Sequence, residues 1–230
     1  MKNYINNIKT TVILLMVILI AFATLNSIYL FKLSGNIEDI SEETTKTTDD
    51  FYELSEKLKD EKEKMSFMAH VMDIKNVLDT FDRNTSSYNT MDFAYLIAKE
   101  SFENNLDPFL VLAVVKTESS FRQSVVSHKG AIGLMQILPN TANYVSGMVE
   151  HIDISSSNEL FEPQTNVTIG INYLSYLINK FENRKYAIIA YNMGPTNLVK
   201  KIRSGERLPE RYYRSVMRNY KQLLSLSGRA

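Results

Sequence analysis

The sequence predicts a mainly α fold, and three observations carry that expectation. Apolar residues recur at three- and four-residue spacings over most of the chain, as they do on one face of a helix. Gly or Pro stands between most of these stretches, where helices stop and start. No convincing run of alternating apolar and polar residues appears, so the signal of half-buried strands is missing. The 230 residues, 44% of them hydrophobic, suffice for one globular core and an appendage. Basic and acidic residues balance at 26 each, which leaves no global field for nucleic acid. There is no Cys, which excludes disulfides and thiolate metal sites. His70, His128 and His151 are far apart and show no ligand spacing, so neither a metal nor a cofactor is expected.

The first element is a membrane segment. Residues 1–9 form a short tail carrying Lys2 and Lys9, and no charge appears from Thr10 to Phe31. Residues 10–32 thus have about the length needed to cross a hydrocarbon core of ~30 Å. A cleavable signal peptide has a shorter apolar stretch of about 7–15 residues, followed by a small-residue cleavage site. Here the small residues Ala21 and Ala23 lie inside the run, which favours an uncleaved signal anchor over a cleaved peptide. The tail lysines place the N-terminus in the cytoplasm and everything after the span outside. The expectation is a single-pass cell-membrane protein with an extracytoplasmic C-terminal domain.

Residues 33–90 follow as a charged stalk or linker. Its part from Asn36 to Lys64 holds 11 acidic and 5 basic residues. Ile37, Ile40, Phe51, Leu54 and Leu58 make only a thin stripe, so this part reads as a solvated helix or as a disordered linker. Such a stalk leaves room for a protein partner in an envelope machine, whose identity the sequence does not carry. From Met65 to Phe81 a better stripe, including Met68, Val71, Met72, Leu78 and Phe81, predicts a helix. "DRNTSSYNT", residues 82 to 90, is turn-rich and marks a boundary.

Residues 91–222 read as one helical domain, with 223–230 as a tail. "MDFAYLIAKESFENN" is amphipathic. "DPFLVLAVVKTESSF" opens with Asp107 as N-cap and Pro108 at the first helical position. Pro139 opens a further helix that stops near Gly147, and helical stretches over 162–183, 185–195, 196–205 and 209–226 follow, with Gly or Pro between most of them. Nine basic residues fall between Lys200 and Arg229, either as a solvated helix face or as a contact for anionic wall polymers or lipid headgroups.

The residue that stands out is Glu118. Val111, Val114 and Val115 share or flank its helical face, and the run before it is apolar nearly all round. An acid at the edge of a core and at the negative end of a helix has its charged form disfavoured twice. A carboxyl that keeps its proton near neutral pH can donate it to a leaving group. Taken alone, the same segment also fits an ordinary Glu in a fraying last turn.

Two more stretches bear on the choice. "SHKGAIGLMQILPNTA", residues 127 to 142, places Gly130 and Gly133 in a tight connection before Gln136 and Pro139. "AIIAYNMGP", residues 187 to 195, ends an apolar helix in Tyr191 and Asn192, an aromatic ring beside an amide.

Glu118-Ser119, Gly133-Leu134-Met135-Gln136 and Ala190-Tyr191-Asn192-Met193-Gly194, in this order, resemble the lytic transglycosylase family of the soluble-transglycosylase and goose-type-lysozyme fold. "NVTIGINYL", residues 166 to 174, resembles that family's Asn-x-x-x-Gly-x-x-Tyr-Leu helix. The resemblance covers roughly residues 91 to 220. It implies a lysozyme-like helical lobe whose partner is the peptidoglycan glycan strand, cut at the β-1,4 bond between N-acetylmuramic acid and N-acetylglucosamine. It implies Glu118 as the single catalytic acid and then base, closing a 1,6-anhydro ring on the muramic sugar. Ser119, Ser127, Met135, Gln136, Tyr191 and Asn192 become candidate substrate contacts. The family also carries a Tyr hydrogen-bonded near its acid, often after Glu-Thr. This chain has "LPERYYRSV" instead, and counting back from Val216 favours Tyr212 over Tyr213. Two alternatives stand beside this reading: a goose-type-lysozyme-like hydrolase of the same bond, and a non-catalytic glycan-binding envelope scaffold. No Asp or Glu lies between Ser119 and Val149 to activate water.

Overall fold

The computed structural model describes residues 2–81, 88–149 and 154–229, with side chains from Asn7 onward. Most of the turn-rich 82–90 stretch, and His151, lie outside the described residues. The chain is mainly α: among the described residues there is no strand, only isolated bridges that join Ile132 to Val126 and to Ile137. It divides into two compact units, Met1–Glu63 and Lys64–Ala230.

The first unit is helical. Helix α1 (Lys2–Asp79) supplies all of it and continues into the second unit's sequence. Its apolar side chains between Val12 and Phe31 are exposed, Leu19 by 71% and Phe31 by 84%. The helix is long and apolar enough there to cross a membrane. Between Asn36 and Glu63 the helix is exposed all round. Several threonine hydroxyls, such as those of Thr44 and Thr48, donate back to carbonyls four residues earlier, Ile40 and Thr44.

The second unit begins at Lys64, within α1. Val71, Ile74, Val77 and Leu78, on the last turns of α1, are buried in its main core. Their spacing puts them on one helical face. Phe67 adds an edge contact to Tyr95 and a tilted one to Phe102 of α2 (Thr90–Glu103), at 5.5 and 5.7 Å between ring centres. The charged residues of this stretch take the outer face; Lys75 pairs with Asp79 at 2.5 Å.

At the centre stands α3 (Pro108–Ser119). Asp107 caps it by accepting from the Phe109 amide at 2.9 Å, and every residue from Pro108 to Val115 is buried. Helix α8 (Arg211–Leu226) packs along it through Val216 and Leu223. Three polar ties join the two helices: Asn219 to Thr117 at 2.9 Å, Lys116 to Gln222 at 2.7 Å, and Tyr220 to the capping Asp107. The opposite face of α8 carries Arg211, Arg214, Arg218 and Lys221, all exposed.

A loop leads to α4 (Pro139–Ser146), and a 3-10 turn (Ser157–Phe161) leads to α5 (Pro163–Phe181). Helix α6 (Arg184–Met193) packs against α5, and α7 (Pro195–Arg203) against α6, around a smaller cluster of Leu177, Ala187, Ile189, Ala190 and Leu198.

Ile74→Ala should therefore destabilise the second unit by about 2–5 kcal/mol, the range for truncating a buried aliphatic side chain. Chemical denaturation followed by circular dichroism measures this. An unchanged midpoint would place 64–79 outside the core.

Candidate active site

Glu118 occupies the last turn of α3, where the chain makes an abrupt change. Ser120 and Phe121 both adopt left-handed backbone, at φ 52° and 64°. For a bulky residue such as Phe121 this is strained, and strain of this kind needs external support. The support is visible. Tyr88 donates its hydroxyl to the Phe121 carbonyl at 3.1 Å, and Arg122 donates both its amide and its Nε to the Ser119 carbonyl. The Phe121 ring is buried and lies 5.4 Å from that of Phe81. Helix α3 thus stops where its acid reaches the surface of the core.

The half-buried Glu118 carboxyl opens into a cleft of about 640 Å³. Its Oε1 accepts a 2.6 Å hydrogen bond from the Tyr212 hydroxyl on α8. Burial raises the carboxyl to about 7, and the Tyr212 hydrogen bond opposes part of that rise. Burial, followed by the charge of Glu118, holds both Tyr212 and Tyr191 well above the ordinary phenol value. Tyr212 is therefore a hydrogen-bond donor throughout the neutral range.

The facing wall is built on a buried amide, Asn166 of α5. Its Oδ1 accepts from the Met135 amide at 2.8 Å, and its Nδ2 donates to the carbonyls of Ile132 and Leu160 at 2.9 and 2.7 Å. That one side chain satisfies three backbone groups of two segments. Gly133, at φ 81°, passes so close that a Cβ would stand 2.3 Å from Asn166 Nδ2. One turn along α5, Gly170 leaves room for the fully buried Met135; a Cβ there would stand 2.4 Å from its sulfur. Tyr191 of α6 then donates its hydroxyl to the Met135 carbonyl at 2.9 Å. Gln136 follows in left-handed backbone, φ 51°, and its amide donates to the carbonyls of Val125 and Gly133 at 3.0 Å each.

Of the sequence-predicted residues, Glu118, Ser127, Gln136, Tyr191 and Asn192 line the cleft together. Tyr212 meets the acid from α8, while Tyr213 has no such bond to it. Ser119 and Met135 stand behind the wall. Ser119 is 1% exposed and its hydroxyl donates to the Val115 carbonyl, while Met135 holds the loop with its backbone. Sequence reasoning missed Asn166 as an organising residue and Tyr173 as a lining one. The signal was present: Asn166, Gly170 and Tyr173 recur at helical spacing, and a polar residue on an apolar face needs buried partners. His128, Lys129 and Asn197 also line the cleft. Glu118 is the one carboxylate among the described residues that line it. No group of three or more metal-ligating side chains occurs among the described residues.

The family model of the transglycosylase SLT domain matches residues 95–213, more than half of the chain, and the chain belongs to that family. It is 36% identical over 115 residues to the soluble lytic murein transglycosylase of Escherichia coli, a match covering 50% of this chain and 17% of that protein. It is 35% identical over 114 residues to the membrane-bound lytic murein transglycosylase C of Sodalis glossinidius, covering 46% of this chain and 32% of that one. The chain thus spans about a sixth to a third of these relatives' lengths. The crystal structure of the 70 kDa soluble lytic transglycosylase of Escherichia coli aligns with a TM-score of 0.47 and 28% identity, covering 58% of this chain and 23% of that one.

The raised carboxyl has a stability consequence. The folded state binds the Glu118 proton more tightly than the unfolded state, where the group titrates near 4.5. Stability from this group is therefore full below about pH 4.5 and falls as pH rises through about 7. The difference corresponds to up to about 3 kcal/mol. Glu118→Gln, which keeps an acceptor for Tyr212, should match the parent at pH 4 and exceed it in stability at pH 8. Denaturation curves at both pH values give the answer; a variant equally offset at both would mean that the carboxyl is not raised.

Proposed function

We propose that this chain is a membrane-anchored lytic transglycosylase of peptidoglycan, with Glu118 as its one catalytic acid and base. The observation that carries the reading is a single half-buried carboxyl, raised to about 7, in a cleft whose other described lining residues include no carboxylate. Most glycosidases that work with water use two acids, one of them to activate the water or to act as nucleophile. The names of the relatives, soluble and membrane-bound, support the reaction and its substrate. The apolar stretch of α1 supports the anchor.

The reaction begins with Glu118 protonated. It donates that proton to the oxygen of the β-1,4 bond as the bond to the muramic C1 breaks. The carbonyl oxygen of the muramic 2-acetamido group stabilises the positive charge at C1. The Glu118 carboxylate then takes the proton of the muramic 6-hydroxyl, whose oxygen bonds to C1 and closes the 1,6-anhydro ring. No water is consumed, and Glu118 is again protonated. Tyr212 steadies the carboxylate between the two steps by its 2.6 Å hydrogen bond. Gln136, Tyr191, Asn192 and Ser127 supply amide, aromatic and hydroxyl contacts for the sugars. Asn166 and Met135 act on the substrate only by positioning the wall that Gln136 and Tyr191 belong to.

Glu118→Gln should fold normally and lose glycan cleavage by at least about 10²–10⁴-fold, since one group performs both proton transfers. Release of soluble fragments from purified sacculi measures the loss. Activity within a few-fold of the parent, with an intact melting transition, would falsify the assignment.

A further inference from the structure

The cleft wall continues outward beyond Tyr173 and Tyr191, because α4 and α5 each repeat it one turn on. On α4, Thr141 lines the cleft and Tyr144 stands three residues later on the same face. On α5, Tyr173 lines the cleft, Tyr176 follows at the same spacing, and Lys180 lies one turn further. The rings form a connected row. Ring centres are 5.5 Å apart for Tyr191 and Tyr173, 6.3 Å for Tyr173 and Tyr176, and 5.6 Å for Tyr176 and Tyr144. Tyr173 and Tyr176 lie nearly parallel, at 20°, while Tyr144 meets Tyr176 at 67° and makes a corner.

At the outer pair, Lys180 donates to the Tyr176 hydroxyl at 2.7 Å. The Lys180 ammonium also stands 5.1 Å from the Tyr176 ring centre. Tyr176 packs partly against the cluster shared by α5, α6 and α7. Tyr144 belongs to neither core cluster and is 48% exposed. Apart from its ring contact with Tyr176, core packing therefore does not account for a tyrosine at 144.

We propose that Tyr144, Tyr176 and Lys180 form an outer subsite of the cleft, where the two rings hold a sugar of the glycan strand and Lys180 takes an anionic substituent on it. This rests on the glycan-cleaving reading above. A pyranose has an apolar C–H face edged with hydroxyls, and a tyrosine has a flat apolar body with a polar tip. One helical turn advances ~5.4 Å, the scale of one sugar residue, so a strand passing Tyr173 meets the outer pair next. Muramic residues carry peptides that end in carboxylates. An ammonium has three donors, and the bond to Tyr176 fixes where Lys180 presents the others. The subsite selects long strands over short fragments, and peptide-bearing strands over stripped ones.

Binding to the full-length Glu118→Gln protein in detergent micelles tests this without requiring turnover. Calorimetry would compare long purified strands with a peptidoglycan tetrasaccharide. Adding Tyr144→Ala should weaken long-strand binding about 2- to 10-fold and the tetrasaccharide by clearly less. Tyr144→Phe, which keeps the ring, should retain most of the affinity. Lys180→Gln, at an exposed side chain, should weaken binding of peptide-bearing strands and not of strands stripped by an amidase. Equal effects of Tyr144→Ala on both lengths, or no effect of Lys180→Gln on peptide-bearing strands, would overturn the subsite. If the parent protein fails to cleave strands but shows these binding effects, the catalytic reading falls and the subsite stands. If it cleaves them and the binding effects are missing, the reverse holds.

Discussion

Everything at the site depends on holding one carboxyl half out of water. Glu118 stays near a pKa of about 7 because α3 is buried along its whole length up to Val115 and because α8 covers its last turn. A carboxyl in water would ionise near 4.5 and have no proton to give at neutral pH. The same burial would harm a group left without a partner, and Tyr212 supplies one at 2.6 Å. The two effects oppose each other. Burial is the larger, so the acid keeps its proton, and the hydrogen bond keeps the carboxylate tolerable once the proton has gone. The ties from Tyr220, Asn219 and Gln222 to α3 hold α8 in the register that brings Tyr212 to the acid.

The opposite wall obeys a second constraint, that buried backbone polar groups must be satisfied. The Gly-Leu-Met-Gln turn makes no helix and no strand, so its amides and carbonyls need partners from elsewhere. Asn166 accepts from the Met135 amide and donates to the carbonyl of Ile132, just before the turn, and to that of Leu160, while Tyr191 donates to the Met135 carbonyl. Close approach is needed for those bonds, which is why Gly133 and Gly170 lack side chains at the contact. The turn is thereby fixed against α5 and α6, and Gln136 and Tyr191 face the acid across the cleft from rigid supports.

Much of this is legible in the residues. The helices announce themselves by apolar spacing and by caps such as Asp107 and Pro108, and the acid by its place at the end of the run of the second unit that is apolar nearly all round. That same uniformity hides the facing of the residues at the helix end. With no polar face on α3, nothing indicates that Ser119 turns inward to the Val115 carbonyl while Glu118 turns out. Met135 is similar, because a turn of small residues carries no period from which to read direction. The core role of Val71, Ile74 and Val77 is obscured because α1 has no break between its solvated and its packed parts. Lys75 and Asp79 on the outer face keep the local composition charged. Tyr212 and Tyr213 are adjacent and identical in type, so only the three-dimensional rotation of α8 separates the one that reaches Glu118.

In the proposed reaction one acid acts twice, and the sugar's own hydroxyl, not water, attacks. Mass spectrometry of the muramic ends released from peptidoglycan in heavy-oxygen water tests it most directly. Released ends should be lighter by one water than hydrolytic ends and free of the label. Labelled, reducing muramic ends as the main product would contradict it and would mean that Glu118 directs water to the broken bond.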